Sequence, residues 1–307
     1  MRIKGLRHFA LTVPDLTEAS AFFRTFGLEI TEEGNRAIGR CVGRDMEQVL
    51  LVEGPQKRFR HVSFAVEKGS LKRWQTHLEE HKVKLVDGPD GGGNGLWFHD
   101  NERRFVNLVD EPLAPWREAA GPESDFNIAD VVARVDRARW PTALDPAAPR
   151  RLSHILCFSA DVAASEAFYT QILGFRVSDR LVGKGQATFM HAGAGDHHVM
   201  AFIESSHPGL HHSSWEVPNT DQIVSGTQSM IEAGHSTVWG LGRHTVGSNM
   251  FTYIRDPWGS WAEYTCDMDQ VTDKWIAQDL NLPPHVWAFS PLPPSFIENH
   301  EPATSVA

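Results

Sequence analysis

Two stretches of similar sequence decide the fold: residues 6–30, LRHFALTVPDLTEASAFFRTFGLEI, and residues 152–177, LSHILCFSADVAASEAFYTQILGFRV. Each begins with a histidine, His8 or His154, inside an alternating apolar pattern, and continues through an aspartate into an amphipathic pattern that a glycine closes. The change of the apolar period from 2 to about 3.6 predicts a strand followed by a helix, and glycine is common just past a helix end. The chain therefore carries an internal repeat.

Two further matches extend this repeat. Residues 60–66, RHVSFAV, resemble residues 211–217, HHSSWEV, and residues 100–107, DNERRFVN, resemble residues 256–263, DPWGSWAE. The spacing between the copies grows along the chain, which indicates a duplication with small loop insertions in the second copy. We expect each half to consist of two βαβββ units that build one curved sheet.

The repeat and the prolines suggest the domain boundaries. We predict an N-terminal domain at 1–130, a linker at 131–150, a C-terminal domain at 151–270 and a tail at 271–307. The segment VTDKWIAQDL at the start of the tail predicts a short helix, and the rest of the tail is rich in proline.

The composition excludes several classes of function. The 307 residues are 41% hydrophobic and 22% charged, as in ordinary globular proteins, and the formal net charge of −10 argues against a nucleic-acid partner. No apolar run approaches the length of about 20 residues that a membrane span needs, and the first residues lack a signal-peptide pattern. Three cysteines without a CxxC pair leave an odd thiol, which favours the cytoplasm.

Three metal-ligand residue types occupy the anchors of the repeat in the second half: His154, His212 and Glu263. Two histidines and one carboxylate form the facial triad of non-haem Fe(II) oxygenases, which leaves positions open for substrate and O₂. At the same anchors the first half has His8, His61 and Asn107. A neutral amide is a poor replacement for an anionic ligand, so we expect one metal site per chain.

A structural role is the competing interpretation for each of these residues. A single strand histidine is more often structural or exposed than a ligand, and Glu263 alone could be a solvated strand carboxylate. Three ligand types at equivalent anchors of a repeat are hard to explain by chance, which favours the metal site.

Residues 152–265 resemble the catalytic domain of type I extradiol dioxygenases of the vicinal oxygen chelate superfamily. The resemblance lies in LSHILCF around His154, GLHHSSWEV around His212 and YIRDPWGSWAEY around Glu263. In the family the ligand is the second histidine of GLHH, which selects His212 over His211. The resemblance implies an α+β fold of two domains, each a curved, incomplete mixed β-barrel around a central cavity, the first being a degenerate copy without metal.

Three further positions match residues that act on the substrate in this family. The acid/base histidine corresponds to His198 in HVMAF, and its neighbour His197 is not the match. A histidine in a glycine-rich loop corresponds to His244 in GLGRHTVG, and the tyrosine before the Asp-Pro turn corresponds to Tyr253. The resemblance implies that His244 and Tyr253 hydrogen-bond the substrate oxygen, and that His198 donates a proton. A core-packing or surface role is the alternative for each.

The resemblance implies extradiol cleavage of a catechol-type ring with incorporation of both atoms of O₂, in the degradation of aromatic compounds. The expected cofactor is Fe(II), although Mn(II) favours similar ligands. The expected partners are a catecholic substrate, O₂ and further copies of the chain in a homo-oligomer, with no nucleic acid or membrane. A glyoxalase-like lyase or isomerase, and a non-enzymatic small-molecule binder of the same superfamily, remain the alternatives.

Overall fold

The computed structural model describes residues 2–89, 94–114, 127, 130, 132–136, 146–183 and 185–303. In these ranges the fold is α+β, as the repeat predicts: helices pack against two large mixed sheets, and neither sheet closes into a barrel. Half of the predicted linker at 131–150 lies outside the described residues, and the domain boundaries stay predictions. The helices are α1 (Leu16–Thr25), α2 (Leu71–Glu80), α3 (Val162–Gln171), α4 (Thr220–Glu232) and one 3-10 turn (Pro294–Ile297).

The first half builds a sheet of seven strands in the order β2-β3-β4-β1-β5-β7-β6. Its second unit has one strand fewer than a βαβββ unit. In place of the strand that should follow α2 there is an isolated bridge between Leu85 and Phe98. The strands are β1 (Ile3–Val13), β2 (Leu28–Glu33), β3 (Arg36–Cys41), β4 (Val49–Glu53), β5 (Arg58–Val66), β6 (Leu96–His99) and β7 (Phe105–Val109).

The second half builds a sheet of ten strands in the order β18-β9-β10-β12-β8-β13-β16-β15-β14-β19, and β11 pairs separately with β17. Its strands are β8 (Arg151–Ser159), β9 (Arg176–Leu181), β10 (Ala187–His191), β11 (Gly195–Asp196), β12 (Met200–Glu204), β13 (Gly209–Glu216), β14 (Val238–His244), β15 (Met250–Arg255), β16 (Trp261–Cys266), β17 (Gln270–Val271), β18 (Gln278–Leu280) and β19 (His285–Ala288).

The two strand–helix units at the start of each half form for the same local reasons. Asp15 and Asp161 cap α1 and α3: each side chain accepts a hydrogen bond from the backbone N–H three residues later, at 2.9 Å. Gly27 follows the C-cap of α1 with φ of +99°, a backbone conformation that favours glycine. These signals place β1 and β8 at equivalent points of the two halves.

The predicted helix at the start of the tail is wrong. Residues 270–271 and 278–280 are the short strands β17 and β18, with a turn between them. β18 pairs in parallel with β9, and the backbone N–H of Gln278 also donates to Asp179 Oδ1 at 2.7 Å. A sheet edge thus supplies the backbone hydrogen bonds that the helix would have made, and tertiary context overrides a weak local preference.

The two halves share one continuous apolar core. Phe26 of the first half stacks on Tyr264 of the second with ring centroids 3.9 Å apart, and the Tyr264 hydroxyl donates to Phe26 O. Gln48 crosses the boundary as well, because its Oε1 accepts from the backbone N–H of Leu152 at 2.8 Å. Along the described stretches no helix has the length and apolar character to cross a bilayer.

Candidate metal centre

Three neighbouring strands bring His154, His212 and Glu263 onto one face of the second sheet. His154 on β8 and Glu263 on β16 both lie opposite Ser214 of β13, and His212 is two residues before Ser214 on the same strand. Because side chains alternate between the faces of a sheet, all three point to the same side. The first half has the same register, with His8 and Asn107 opposite Ser63. The anchors found in the sequence are therefore structurally equivalent.

The potential ligand atoms of the second half converge closely. His154 Nε2 lies 3.2 Å from His212 Nε2 and 3.2 Å from Glu263 Oε2, and His212 Nε2 lies 3.7 Å from the same carboxylate oxygen. All three residues are buried. Within the part of the chain that the structure describes, this is the one group of three or more such residues close enough to hold a metal ion.

The chemistry of the three ligands fits a divalent cation. Glu263 Oε2 is buried and accepts no hydrogen bond, although it faces two imidazole nitrogens. Burial alone would raise the pKa of Glu263, but the close contacts with His154 and His244 outweigh it and hold this pKa well below its usual value. Burial lowers the pKa of His212 well below its usual value, so its ring is neutral. One carboxylate and neutral imidazole are suited to Fe(II) or Mn(II).

The equivalent cluster in the first half satisfies itself by hydrogen bonds. His8 Nε2 and His61 Nε2 lie 2.9 Å apart and share a hydrogen bond. Asn107 Oδ1 accepts from the Ser63 hydroxyl at 2.8 Å, and Asn107 Nδ2 lies 3.2 Å from its acceptor Asn94 O. The amide is thus committed to its neighbours, and the loss of metal binding there stays a prediction.

His244 and Tyr253 form a hydrogen-bonded pair beside the cluster. Tyr253 lies on β15 opposite Glu263, and its hydroxyl is 2.9 Å from His244 Nε2. His244 Nδ1 donates to Pro284 O at 3.0 Å, and its Nε2 lies 3.4 Å from Glu263 Oε1. Burial, followed by the charge of Glu263, raises the pKa of Tyr253 well above its usual value, so the phenol keeps its proton.

His198 reaches the same site from the segment before β12. Its ring lies 4.2 Å from the ring of His154 between centroids, and it contacts Phe189 on β10. Its neighbour His197 is fully buried and is not among the residues that line the cavity, and the choice of His198 from the motif stays a prediction. However, His197 Nδ1 lies 3.1 Å from His198 Nδ1, a contact that the sequence comparison did not anticipate.

All of the candidate site residues except Glu263 line a narrow, mainly apolar cavity of about 70 Å³. A larger depression of about 740 Å³ lies elsewhere on the surface, beside Arg255 and Trp258, and contains none of them. We therefore assign the candidate active site to the smaller cavity. Besides His154, His198, His212, His244 and Tyr253, the cavity is lined by Leu156, Leu181, Ala187, Phe189, Ile203, His211, Val246, Pro284 and Phe296.

Sequence reasoning found only part of this surrounding. The positions that flank the candidate catalytic residues in the sequence line the cavity only in part: Phe189 and Val246 do, whereas Met250 and Phe251 do not. Phe296 of the tail flanks none of these positions. Asn249 was also missed: its Nδ2 donates to Glu263 Oε1 at 3.2 Å and to Thr265 Oγ1 at 2.7 Å. Neither Phe296 nor Asn249 belongs to the repeat, so no periodic signal could have identified them.

Comparison with known families agrees with the geometry. The model of the Glyoxalase/Bleomycin resistance protein/Dioxygenase superfamily matches residues 5–104 and 151–264, which is one match in each half of the duplication. The chain belongs to this superfamily. Both matched ranges end close to the third anchor of the repeat, so the family model follows the same internal duplication as the sheets.

Two relatives match the chain over most of its length, and a third matches less than half of it. Metapyrocatechase 2 of Cupriavidus necator is 33% identical across 97% of this chain and 93% of its own. Metapyrocatechase of Pseudomonas sp. strain CF600 is 28% identical across 89% of this chain and 91% of its own. An iron-dependent extradiol dioxygenase of Rhodococcus jostii is 30% identical across 42% of this chain and 47% of its own.

Solved structures share the fold. The Mn(II)-bound glyoxalase from Novosphingobium aromaticivorans superposes with a TM-score of 0.79 at 24% identity, covering 98% of this chain and 96% of its own. A variant of homoprotocatechuate 2,3-dioxygenase from Brevibacterium fuscum superposes with a TM-score of 0.79 at 19% identity, covering 99% of this chain and 84% of its own. At these identities the likeness is one of fold.

Proposed function

We propose that this chain is an extradiol dioxygenase that opens a catechol-type ring beside its two hydroxyls and incorporates both atoms of O₂. One observation carries the proposal: His154, His212 and Glu263 converge beside an apolar cavity into which His198, His244 and Tyr253 also project. The relatives named metapyrocatechase and iron-dependent extradiol dioxygenase support the same reaction.

The metal would be held by His154 Nε2, His212 Nε2 and a carboxylate oxygen of Glu263. We propose Fe(II), and Mn(II) would suit the same ligands. A bound ion would supply the Lewis acidity and the electron transfer that join a catechol to O₂. The Asn249 amide, which donates to the other oxygen of Glu263, would orient the carboxylate.

His244 and Tyr253 would bind and deprotonate the diol. A carbonyl oxygen can only accept a hydrogen bond, so the contact with Pro284 O places the first proton of His244 on Nδ1. Its Nε2 is then free to accept, and the Tyr253 hydroxyl donates to it. Nε2, which lies 3.4 Å from Glu263 Oε1, is therefore the nitrogen that can accept a proton from a substrate hydroxyl.

His198 would act as the general acid/base of the ring-opening step. Burial, and next the neighbouring ring of His154, lower the pKa of His198 well below its usual value, so the resting imidazole is neutral. A neutral imidazole can take a proton from the substrate and return it to the oxygen that leaves. Such a positioned acid/base typically accelerates a reaction by about 10²–10⁴-fold.

The cavity walls favour an uncharged, monocyclic catechol. Leu156, Phe189, Val246 and Phe296 present apolar surface, and no arginine or lysine is among the described residues that line the cavity. A carboxylated catechol would meet no positive charge there, and the loss of hydration of its carboxylate would disfavour binding. The narrow volume also favours a small substituent over a second ring.

The direct test is reconstitution of the purified chain with Fe(II) under anaerobic conditions, followed by catechol, 3-methylcatechol, 4-methylcatechol and 3,4-dihydroxybenzoate in air. We expect a yellow ring-fission product with one O₂ consumed per ring, and a preference for the uncharged diols. Glu263→Gln serves as the control, since it should give neither metal nor product.

A chain that holds one metal ion yet cleaves none of these diols would contradict the proposal and favour the glyoxalase-like alternative. Turnover of a hemithioacetal in the same assay would then establish that alternative. The cytoplasmic location and the homo-oligomer stay predictions, and light scattering on the purified chain tests the second of them.

A further inference from the structure

Two buried groups, Asp179 and His197, form a chain of contacts that ends at His198. Asp179 on β9 places its Oδ2 at 2.9 Å from His197 Nε2, and His197 Nδ1 lies 3.1 Å from His198 Nδ1. Asp179 and His197 are buried, and His197 does not line the cavity. Nothing in the proposed reaction so far uses either residue.

His197 is held in place on several sides. Its backbone N–H donates to Asp269 O at 2.8 Å, its carbonyl accepts from the Ser178 hydroxyl, and Trp275 packs edge-on against its ring at 5.2 Å. Asp179 is fixed as well, because its second oxygen accepts from the backbone of Gln278. The ring of His197 can therefore not turn away from its two partners without disturbing the tail.

The chemistry of the partners decides where the protons lie. A carboxylate only accepts hydrogen bonds, so His197 Nε2 carries a proton and donates it to Asp179. Burial lowers the pKa of His197, and the contact with Asp179 offsets this effect only in part, so the ring is neutral. Because Nε2 carries the one proton of the neutral ring, Nδ1 carries none. A bare His197 Nδ1 accepts, and His198 must then donate from its own Nδ1.

We propose that Asp179 and His197 are positioning residues that fix His198 in the tautomer protonated at Nδ1, so that its unprotonated Nε2 is the atom presented to the substrate. The inference rests on the proposed function, because it assigns how the acid/base of that reaction is prepared. His198 then gains a proton on the cavity side only, and the imidazolium that forms is stabilised through His197 by the carboxylate.

The opposite arrangement would not serve the reaction. If His198 carried its resting proton on Nε2, that nitrogen could not accept a proton from the substrate, and two bare nitrogens would meet at the 3.1 Å contact with His197. Asp179→Asn should impose this arrangement. The amide nitrogen of asparagine would donate to His197 Nε2, which moves the His197 proton to Nδ1 and the His198 proton to Nε2.

The first experiment detects the tautomers directly. We would record long-range ¹H–¹⁵N spectra of the full chain with ¹⁵N-histidine, loaded with Zn(II) because Fe(II) is paramagnetic. The result expected is protonation of His197 at Nε2 and of His198 at Nδ1, with both reversed in Asp179→Asn. A wild-type His198 protonated at Nε2 would overturn the proposal, whether or not the chain cleaves catechols.

The second experiment measures whether His197 acts through His198. We expect His197→Phe in the Fe(II)-loaded chain to lower kcat about 10–100-fold, with the KM for catechol and the iron content unchanged. His197→Gln should restore part of the loss, since its amide can accept from His198 and donate to Asp179. His61→Phe is the matched control, a buried histidine paired with another in the first half, and should leave kcat unchanged.

The double variant distinguishes positioning from a general structural effect. In the background of His198→Phe, the additional change His197→Phe should lower kcat no further, because the residue that it positions is already gone. Two losses that multiply would overturn the proposal. An inactive wild-type chain would instead count against the proposed function, and the tautomer spectra would still decide the inference.

Discussion

Glu301→Gln should destabilise the chain more than any other single change in its tail. The Glu301 side chain is 7% exposed and lies 2.8 Å from Lys57 Nζ of the first half, itself 4% exposed. The same carboxylate accepts from the backbone N–H groups of Phe59 and Leu210, each at 2.8 Å. One carboxylate therefore joins the first half, the strand that carries His212 and the end of the tail.

The magnitude follows from the charge that the substitution leaves behind. At 2.8 Å and an effective dielectric constant of about 20, Coulomb's law gives an attraction of about 6 kcal/mol, which the desolvation of both groups largely offsets. Removal of one partner leaves the other charge buried and unpaired, which costs about 3–5 kcal/mol. Lys57→Met should cost a similar amount, because it leaves the buried carboxylate of Glu301 without its counter-charge, as Glu301→Gln does for Lys57.

Urea unfolding followed by tryptophan fluorescence measures the free energy of unfolding of each variant. Arg24→Met is the matched control: Arg24 and Glu32 lie as close, at 2.7 Å, but both side chains are about half exposed, and we expect no measurable change in midpoint. Limited proteolysis should cut the tail of Glu301→Gln faster than that of the wild type. A midpoint for Glu301→Gln equal to that of the control would refute the reasoning.

Three further predictions follow from the site. Glu263→Gln should lose metal and activity together, because a neutral amide replaces the anionic ligand; full iron occupancy by mass spectrometry would remove Glu263 from the ligands. The wild type should bind one metal ion per chain, since Asn107 is committed to its hydrogen bonds in the first half, and a stoichiometry of two would contradict this. Phe296→Ala should widen the cavity and raise kcat/KM for 3-propylcatechol relative to catechol about tenfold; an unchanged ratio would show that Phe296 does not limit substituent size.

The sequence predicted the parts of the fold that depend on the repeat. The register of β8, β13 and β16 follows from alternation of apolar and polar residues, and a shift by one residue would turn His154 away from Glu263. The equivalence of the two halves could therefore be recognised from His8, His61 and Asn107 alone. Local signals such as the cap at Asp161 gave the adjoining helix.

The tail was not predictable in the same way. Residues 271–280 contain no strong helix or strand signal, and their conformation is decided by the edge of β9, which lies far away in the chain. The same holds for Phe296, which lines the cavity because it packs on His211, Tyr253 and Trp261, all far from it in the chain. His197 was set aside because the family motif distinguishes one histidine from its neighbour, and a motif carries no information on a contact with Asp179.

The duplication has thus produced two halves with different tasks. At the anchors of the first half, His8 and His61 share a hydrogen bond and Asn107 is bonded to Ser63, so we expect these residues to contribute packing there instead of a cation site. What the first half supplies to the second is Lys57, which reaches Leu210 O and the Ser260 hydroxyl as well as Glu301. These contacts hold the tail, and with it one wall of the cavity, against the strands that carry the metal ligands. Loss of the first half would therefore remove the buried partner of Glu301, which lies five residues after the cavity residue Phe296.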